Sequence, residues 1–398
     1  MELYLQYGWG MKEHTNTLLK KWNGGTVILS PRDIEQDKLE EYSNEFKKNK
    51  GTILFDPQLY NPRASHDRLT NYDYWPAGYS TNVLTDQRSL SSLLTKIKNI
   101  NDSIDTESFI LPGLYCSKAK DDWFTIQKMI INEACRIEHD KNILATICLS
   151  SDTMRSEEQL EHILLETEGW SVDGYYVIPE HPNGQYLVDD PVWLSGLIEL
   201  CAGLKLQNKK VIVGYSNHQS LCLSAANIDA IASGSYLNLR TFTSSRFDNP
   251  EPDDQRRKST WYYCPQSLSE YKINFLNMAQ RNNILMHMAP DRSLNSDYAN
   301  ILFSGAQPTD TNFKEGLAFR HYLDCLYQQC KFSHRATFKD TVASQEILLN
   351  TAERYISLFH KNGVRGLNRD FYEYIDINRS ALSYLEQKRG FVLEREWN

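Results

Sequence analysis

Eight short apolar runs punctuate the first 240 residues, and segments of helical periodicity separate most of them. The runs are Leu3–Tyr7, Thr26–Ser30, Thr52–Asp56, Phe109–Tyr115, Leu144–Ser150, Gly174–Pro179, Lys210–Tyr215 and Ile228–Ser233. Between them, Lys38–Lys48, Leu90–Ile100, Trp123–Glu138, Ser156–Thr167 and Pro191–Leu206 space their apolar residues as helices do. Strand–helix alternation calls for a parallel sheet, and eight repeats predict closure into an α/β, TIM-like (β/α)8 barrel. An open doubly wound sheet would carry a Gly-rich phosphate loop after its first strand. Tyr7-Gly8-Trp9-Gly10-Met11 has two glycines but no third at the required spacing.

Two segments exceed the regular spacing. Residues 60–87 follow the third strand and carry Tyr72-Asp73-Tyr74-Trp75, the composition of a lid or a substrate clamp on the catalytic rim. Residues 246–266 follow the eighth strand and hold Arg256-Arg257-Lys258-Ser259-Thr260-Trp261-Tyr262-Tyr263. Cations beside aromatics can grip phosphates and stack bases; the same run also reads as a solvated charge cluster beside a buried aromatic patch. Beyond the barrel, Thr311–Lys331, Thr341–Lys361 and Asn368–Lys388 are helical in pattern, with Gly363 and Gly366 between the last two. The expected division is a barrel over 1–300 with rim insertions at 60–87 and 246–266, then a helical C-terminal extension over 301–398.

The chain of 398 residues is 41% hydrophobic and 24% charged, as in globular domains. A net charge of −8 argues against a generally basic nucleic-acid coat but leaves room for a local basic groove. No apolar run nears 18 residues and no signal-peptide pattern opens the chain, so neither a membrane span nor secretion is expected. A reduced, cytoplasmic setting follows for the eight scattered cysteines. Cys325, Cys330 and His334 are near one another without paired Cys-x-x-Cys spacing, and Glu180, His181 and His218 lack a metal-binding spacing, so no metal or other cofactor is expected. The oligomeric state is not readable.

In a barrel the carboxyl ends of the strands collect the chemistry. Here they carry Ser30-Pro31-Arg32-Asp33, Asp56 with Gln58, Ser150-Ser151-Asp152, Glu180-His181, Tyr215-Ser216-Asn217-His218, and then Arg240. Asp56 stands out: the run Thr52-Ile53-Leu54-Phe55 stops at it, and Pro57 ends the pairing. It reads either as a catalytic carboxylate or as a helix-capping Asp. Asn217, Ser216 and His218 admit the same capping alternative, and Arg32 with Asp33 reads equally as a local ion pair.

At these positions the chain resembles the tRNA-guanine transglycosylase superfamily over roughly residues 1–290. Thr52-Ile53-Leu54-Phe55-Asp56-Pro57-Gln58 stands where that family has a strand ending in Asp-Ser-Gly-Gly-Tyr/Phe-Gln, without the glycine pair. Gly174-Tyr175-Tyr176-Val177-Ile178-Pro179-Glu180 is similar to its strand ending in Gly-Glu, and Ala226–Gly234 to its Gly-Val-Asp-Met-Phe-Asp-Cys strand. In the last motif Asp229 matches the first Asp, and Ala232 stands where the family has its nucleophile. The family's Cys-x-Cys-x-x-Cys zinc signature is absent. Arg257–Gln266 is similar to the DNA-acting branch, which includes enzymes inserting 7-deazaguanine derivatives and Brig-type antiphage glycosylases.

The resemblance implies a DNA glycosylase that removes a modified base, as from phage DNA in antiviral defence, with Asp56 catalytic. Gln58, Glu180, Tyr215, Asn217 and His218 would read the base. Arg240, Arg256, Arg257, Lys258, Tyr74 and Trp75 would hold the DNA, its expected partner. A transglycosylase exchanging a base in DNA or tRNA, through Asp229 on a shifted alignment, is the first alternative; a non-catalytic nucleic-acid-binding barrel is the second. A carbohydrate-acting barrel hydrolase is a third.

Overall fold

The computed structural model describes residues 1–76, 81–137, 140–247, 259–294 and 296–397. Nine parallel strands form one sheet: β1 (Glu2–Gln6), β2 (Gly25–Leu29), β3 (Gly51–Phe55), β4 (Ser108–Ile110), β5 (Tyr115–Cys116), β6 (Asn142–Leu149), β7 (Gly174–Pro179), β8 (Lys210–Val213) and β9 (Ala230–Ser233). Their order is β3-β2-β1-β9-β8-β7-β6-β4, with β5 also on β6. β4 and β5 are two pieces of one staggered position, because both pair with β6. Pro112 and Gly113 lie in the break; Pro112 has no N–H for the ladder, and a Cβ at 113 would collide with Thr146. The Glu107 N–H donates to the Ile53 carbonyl at 2.9 Å, which brings β4 against β3 and nearly closes the ring. The structure is therefore the expected eight-position barrel.

The strands are apolar almost throughout because a barrel strand is covered on both faces. Alternation still sorts them. On β7 the Tyr175 hydroxyl points outward to the Thr167 carbonyl (2.9 Å), whereas Tyr176 points inward to Gln6 of β1 (3.1 Å). The surrounding helices are Lys12–Trp22, Leu39–Lys48, Gln87–Ser103, Asp121–Arg136, Glu157–Thr167 and Pro191–Leu206. The last matches its sequence-based bounds because its start is doubly marked. Asp190 accepts from Val192 and Trp193 N–H groups, and Pro191 fills the first turn. Lys12–Trp22 escaped the sequence reading; its apolar face is narrow, with only Leu18, Leu19 and Thr15 buried.

After the barrel comes an antiparallel hairpin of β10 (Trp261–Cys264) and β11 (Ser269–Lys272), where the sequence suggested a rim loop. Its aromatics are structural: Tyr262 and Tyr263 are buried, and their hydroxyls bond Met288 O and Gln329 Oε1. The helices Glu315–Ser333, Phe338–Lys361 and Tyr374–Arg395 follow, as the extension's pattern predicted. They share the main hydrophobic core with the barrel. Buried Asp324 takes Lys21 Nζ (2.7 Å) and Trp22 Nε1 (2.8 Å), and Arg389 Nε meets buried Glu199 at 2.7 Å, so both ends of the extension are pinned to barrel helices.

Gly196 lies where the Pro191–Leu206 helix crosses the 151–154 turn, and a Cβ there would overlap the Met154 carbonyl. Helix propensity alone favours Ala over Gly by about 1 kcal/mol. The overlap should reverse that sign: Gly196→Ala is expected to destabilise the protein by about 1–3 kcal/mol in urea unfolding. A stabilised variant would show that the crossing is looser than described.

Candidate active site

Asp56 continues the β3 ladder by its backbone, donating to the Leu29 carbonyl at 2.9 Å. Its side chain turns into the mouth of the barrel and is 1% exposed. Oδ1 accepts the Gln58 N–H at 2.9 Å, and Oδ2 accepts the Tyr60 hydroxyl at 2.6 Å. The hydroxyls of Tyr176 and Tyr215 approach Oδ2 to 3.5 Å, longer than a normal O–H···O bond. No helix starts here, so the capping alternative for Asp56 is not realised; the carboxylate closes a two-residue turn instead. Burial raises the Asp56 carboxyl to about 6, against the opposing pull of the Tyr60 hydroxyl and Gln58 amide.

Gln58 and Tyr215 both adopt the left-handed conformation, each with φ of 52°. Side chains of this size rarely do, and the cost is about 1–3 kcal/mol each. The two meet: Gln58 Nε2 donates to the Tyr215 hydroxyl at 2.9 Å, while Gln58 Oε1 accepts the Arg32 N–H at 3.0 Å. One network thus joins Gln6 on β1, Arg32 after β2, Asp56 and Gln58 after β3, Tyr176 on β7, and Tyr215 after β8. Strained residues bonded to each other around a desolvated carboxylate are typical of a site held for function.

Other expected residues fall elsewhere. Glu180 ties the rim together. It takes the Ser244 N–H (3.0 Å) and hydroxyl (2.7 Å) on Oε1 and the Tyr115 hydroxyl on Oε2. Asn217 is a helix cap, accepting from Gln219 N–H and donating to the carbonyls of Tyr186 and Arg240, so all its polar capacity is spent on backbone. His218 is buried among Tyr186, Tyr263, Tyr322 and Phe371, and burial lowers it to about 4, which leaves a neutral ring packed in the core. Arg240 is buried as well, donating to the carbonyls of Gly234 and Ser235 and lying 3.3 Å over the Tyr322 ring. It belongs to a second cluster with Glu270 and Arg369. Tyr74 and Trp75, expected to hold DNA, do not face it. Both are buried, bonding the Pro57 and Ala64 carbonyls and packing with Tyr72 behind Phe55. Arg256, Arg257 and Lys258 lie outside the described residues.

Tyr60 and Tyr176 were missed as site residues: one opens the 60–87 insertion, and the other sits mid-strand, where a tyrosine reads as core. Arg246 was missed too. Burial and the neighbouring Arg32 guanidinium lower it to about 10, while Tyr215 and Asp33 act in the opposite direction. Arg32 and Arg246 thus stand beside one another, Arg246 acting on Tyr215 and Arg32 lying 5.5 Å from the Phe247 ring. Among the described residues no three His, Cys, Asp or Glu groups converge as metal ligands. His334 instead bonds Asn227 (2.9 Å) and stacks on Trp397. No described helix is long and apolar enough to cross a membrane.

The raised Asp56 carboxyl makes stability pH-dependent. Below about pH 4 the group is protonated whether folded or unfolded and imposes no penalty. Between there and about pH 6 the folded chain keeps its proton longer than the unfolded chain does, so stability falls as pH rises, and above that the whole penalty is present. Asp56→Asn removes the charge. It should raise the unfolding free energy at pH 7 by about 1–3 kcal/mol, with the gap closing by about pH 4. Urea midpoints at the two pH values measure this, and a less stable variant at pH 7 would contradict the desolvation account.

No family model matches the chain, and no curated protein does. Among solved structures it is similar to a glucosidase from Croceicoccus marinus, at 9% identity and a TM-score of 0.32, covering 58% of this chain and 56% of that one. It is also similar to the carboxyl transferase domain from Rhizobium etli pyruvate carboxylase, at 8% identity and a TM-score of 0.34, covering 97% of this chain and 60% of that one. The chain thus spans less than two thirds of the length of either solved chain.

Proposed function

We propose that this barrel hydrolyses an N-glycosidic bond, with a modified base in DNA as substrate and Asp56 as the catalytic carboxylate. The observation that carries the reading is Asp56 itself: a desolvated carboxylate at the carboxyl end of β3, raised to about 6 and steered by the Tyr60 hydroxyl. Breaking the bond develops positive charge on the sugar, and a fixed carboxylate in a water-poor mouth stabilises that charge. The ionised group also takes a proton from the attacking water as that water bonds to the anomeric carbon and the base departs with the bond's electron pair. Arg32 and Arg246 supply positive charge for a phosphate beside the reacting sugar.

Hydrolysis is favoured over base exchange by what stands on β9. Ala232 offers no nucleophile, and Asp229 lies just before the amino end of the strand, pairing with Lys205 (2.9 Å) and accepting from the Val211 N–H (2.7 Å). That is the stability face of a barrel, opposite the catalytic rim. The resemblance to the DNA-acting branch suggests phage DNA as the source of the modified base and antiviral defence as the role.

Mass spectrometry of bases released from modified and unmodified DNAs is the direct test. Asp56→Asn should lower release by a factor of about 100 or more. In the wild type, kcat/KM should rise with pH through a midpoint of about 6 as the base ionises. Tyr60→Phe removes a donor to the carboxylate and should move that midpoint upward. Binding of DNA without any released base would favour the non-catalytic reading, and uptake of a labelled free base would favour exchange.

A further inference from the structure

A cavity of about 250 Å³ lies between the segment after β9 and the hairpin–helix extension, apart from the Asp56 network. Its charged lining residues are Arg240, Arg369, Glu270 and Glu315, two of each sign. Three further features make it a built site. Ser235 Oγ, Glu270 Oε1 and Tyr322 OH all belong to lining residues that are 1–3% exposed, and no hydrogen bond of normal geometry reaches any of the three atoms among the described residues, Arg240 Nη1 standing 3.7 Å from Glu270 Oε1. Buried polar atoms left this way are costly, so their persistence asks for a partner. Arg369 adds donors: its Nη1 meets Glu270 Oε2 at 2.8 Å while its plane rests 4.1 Å from the Trp261 ring.

We propose that this cavity binds a neutral polyol of monosaccharide size through a pair of adjacent hydroxyls. The donor–acceptor balance selects the class. Glu270 Oε1 only accepts, the Arg369 guanidinium only donates, and the Ser235 and Tyr322 hydroxyls do either. A hydroxyl both donates and accepts, so neighbouring hydroxyls on one ring satisfy the carboxylate and the guanidinium together. A ligand carboxylate would face Glu270 and Glu315, and a ligand ammonium would face Arg240 and Arg369. Phe319 supplies an apolar wall for the ring's C–H face. The site is independent of the reaction proposed at Asp56.

Tyr322→Phe is the discriminating variant, because it keeps the ring under Arg240 and deletes only the orphan hydroxyl. Binding of D-glucose, D-galactose, D-mannose and D-ribose to the full chain is followed by saturation-transfer NMR and calorimetry up to about 20 mM. At least one sugar should bind saturably, and Tyr322→Phe should weaken it roughly tenfold. The same change should raise the ligand-free melting temperature by roughly 1–3 °C, since it removes an unpartnered buried group. Asp56→Asn should leave sugar binding intact. Adenosine set against 2′-deoxyadenosine separates a ribose diol from a free sugar, and preference for adenosine supports the diol. The proposal fails if no polyol saturates, if Tyr322→Phe binds as the wild type does, or if Asp56→Asn abolishes binding.

Discussion

The desolvation of Asp56 is the constraint around which the barrel mouth is arranged. A carboxylate 1% exposed, with no cation in hydrogen-bonding contact among the described residues, is costly to keep charged. The surroundings offset that cost with neutral donors, a phenol and a backbone amide, so the group remains ionisable near neutrality instead of being protonated outright or locked as an ion pair. The strained backbones at Gln58 and Tyr215 follow from the same need. With both residues in the left-handed region, their side chains meet across the mouth, and the turn aims the Gln58 N–H at Oδ1.

The barrel was legible because its signal is repeated. Each strand is a short apolar run between turn residues, and eight such runs leave few alternatives. The break between β4 and β5 was not legible as a break, since Phe109–Tyr115 reads as one run; the stagger comes from Pro112 and from Gly113 against Thr146. The β10–β11 hairpin was hidden by its neighbours: a basic run before Trp261-Tyr262-Tyr263 suggested a surface loop, while burial on both sides made it a strand.

The site was legible where chain position determines direction. Asp56, Gln58 and Tyr215 follow strand ends, and all three enter the network. Position failed where direction depends on a local turn. Asn217 and His218 also follow a strand end, yet the 3-10 turn beginning at His218 spends the amide on backbone and points the imidazole into an aromatic cluster. Tyr176 shows the converse. Nothing in a buried strand marks one tyrosine as facing a carboxylate, and only closure of the barrel brings β7 opposite β3.

Comparison of Asp56 with Glu270 shows how one fold separates two buried carboxylates. Burial pushes both upward, but Arg369 and Arg240 outweigh it at Glu270 and hold that carboxyl below its ordinary range. At Asp56, among the described residues, hydroxyl and amide dipoles oppose burial, and the carboxyl stays high. A group held charged by two guanidiniums is a poor proton acceptor and a good fixed acceptor of hydrogen bonds; a group poised near neutrality can exchange its proton. The placement of arginine therefore divides the labour. Arg240 and Arg369 make the cavity beside the extension a binding surface. Arg32 and Arg246 stand beside one another near Asp33, with Arg246 acting on Tyr215, and add positive charge to the mouth, while among the described residues the carboxylate of Asp56 keeps its phenol and amide partners.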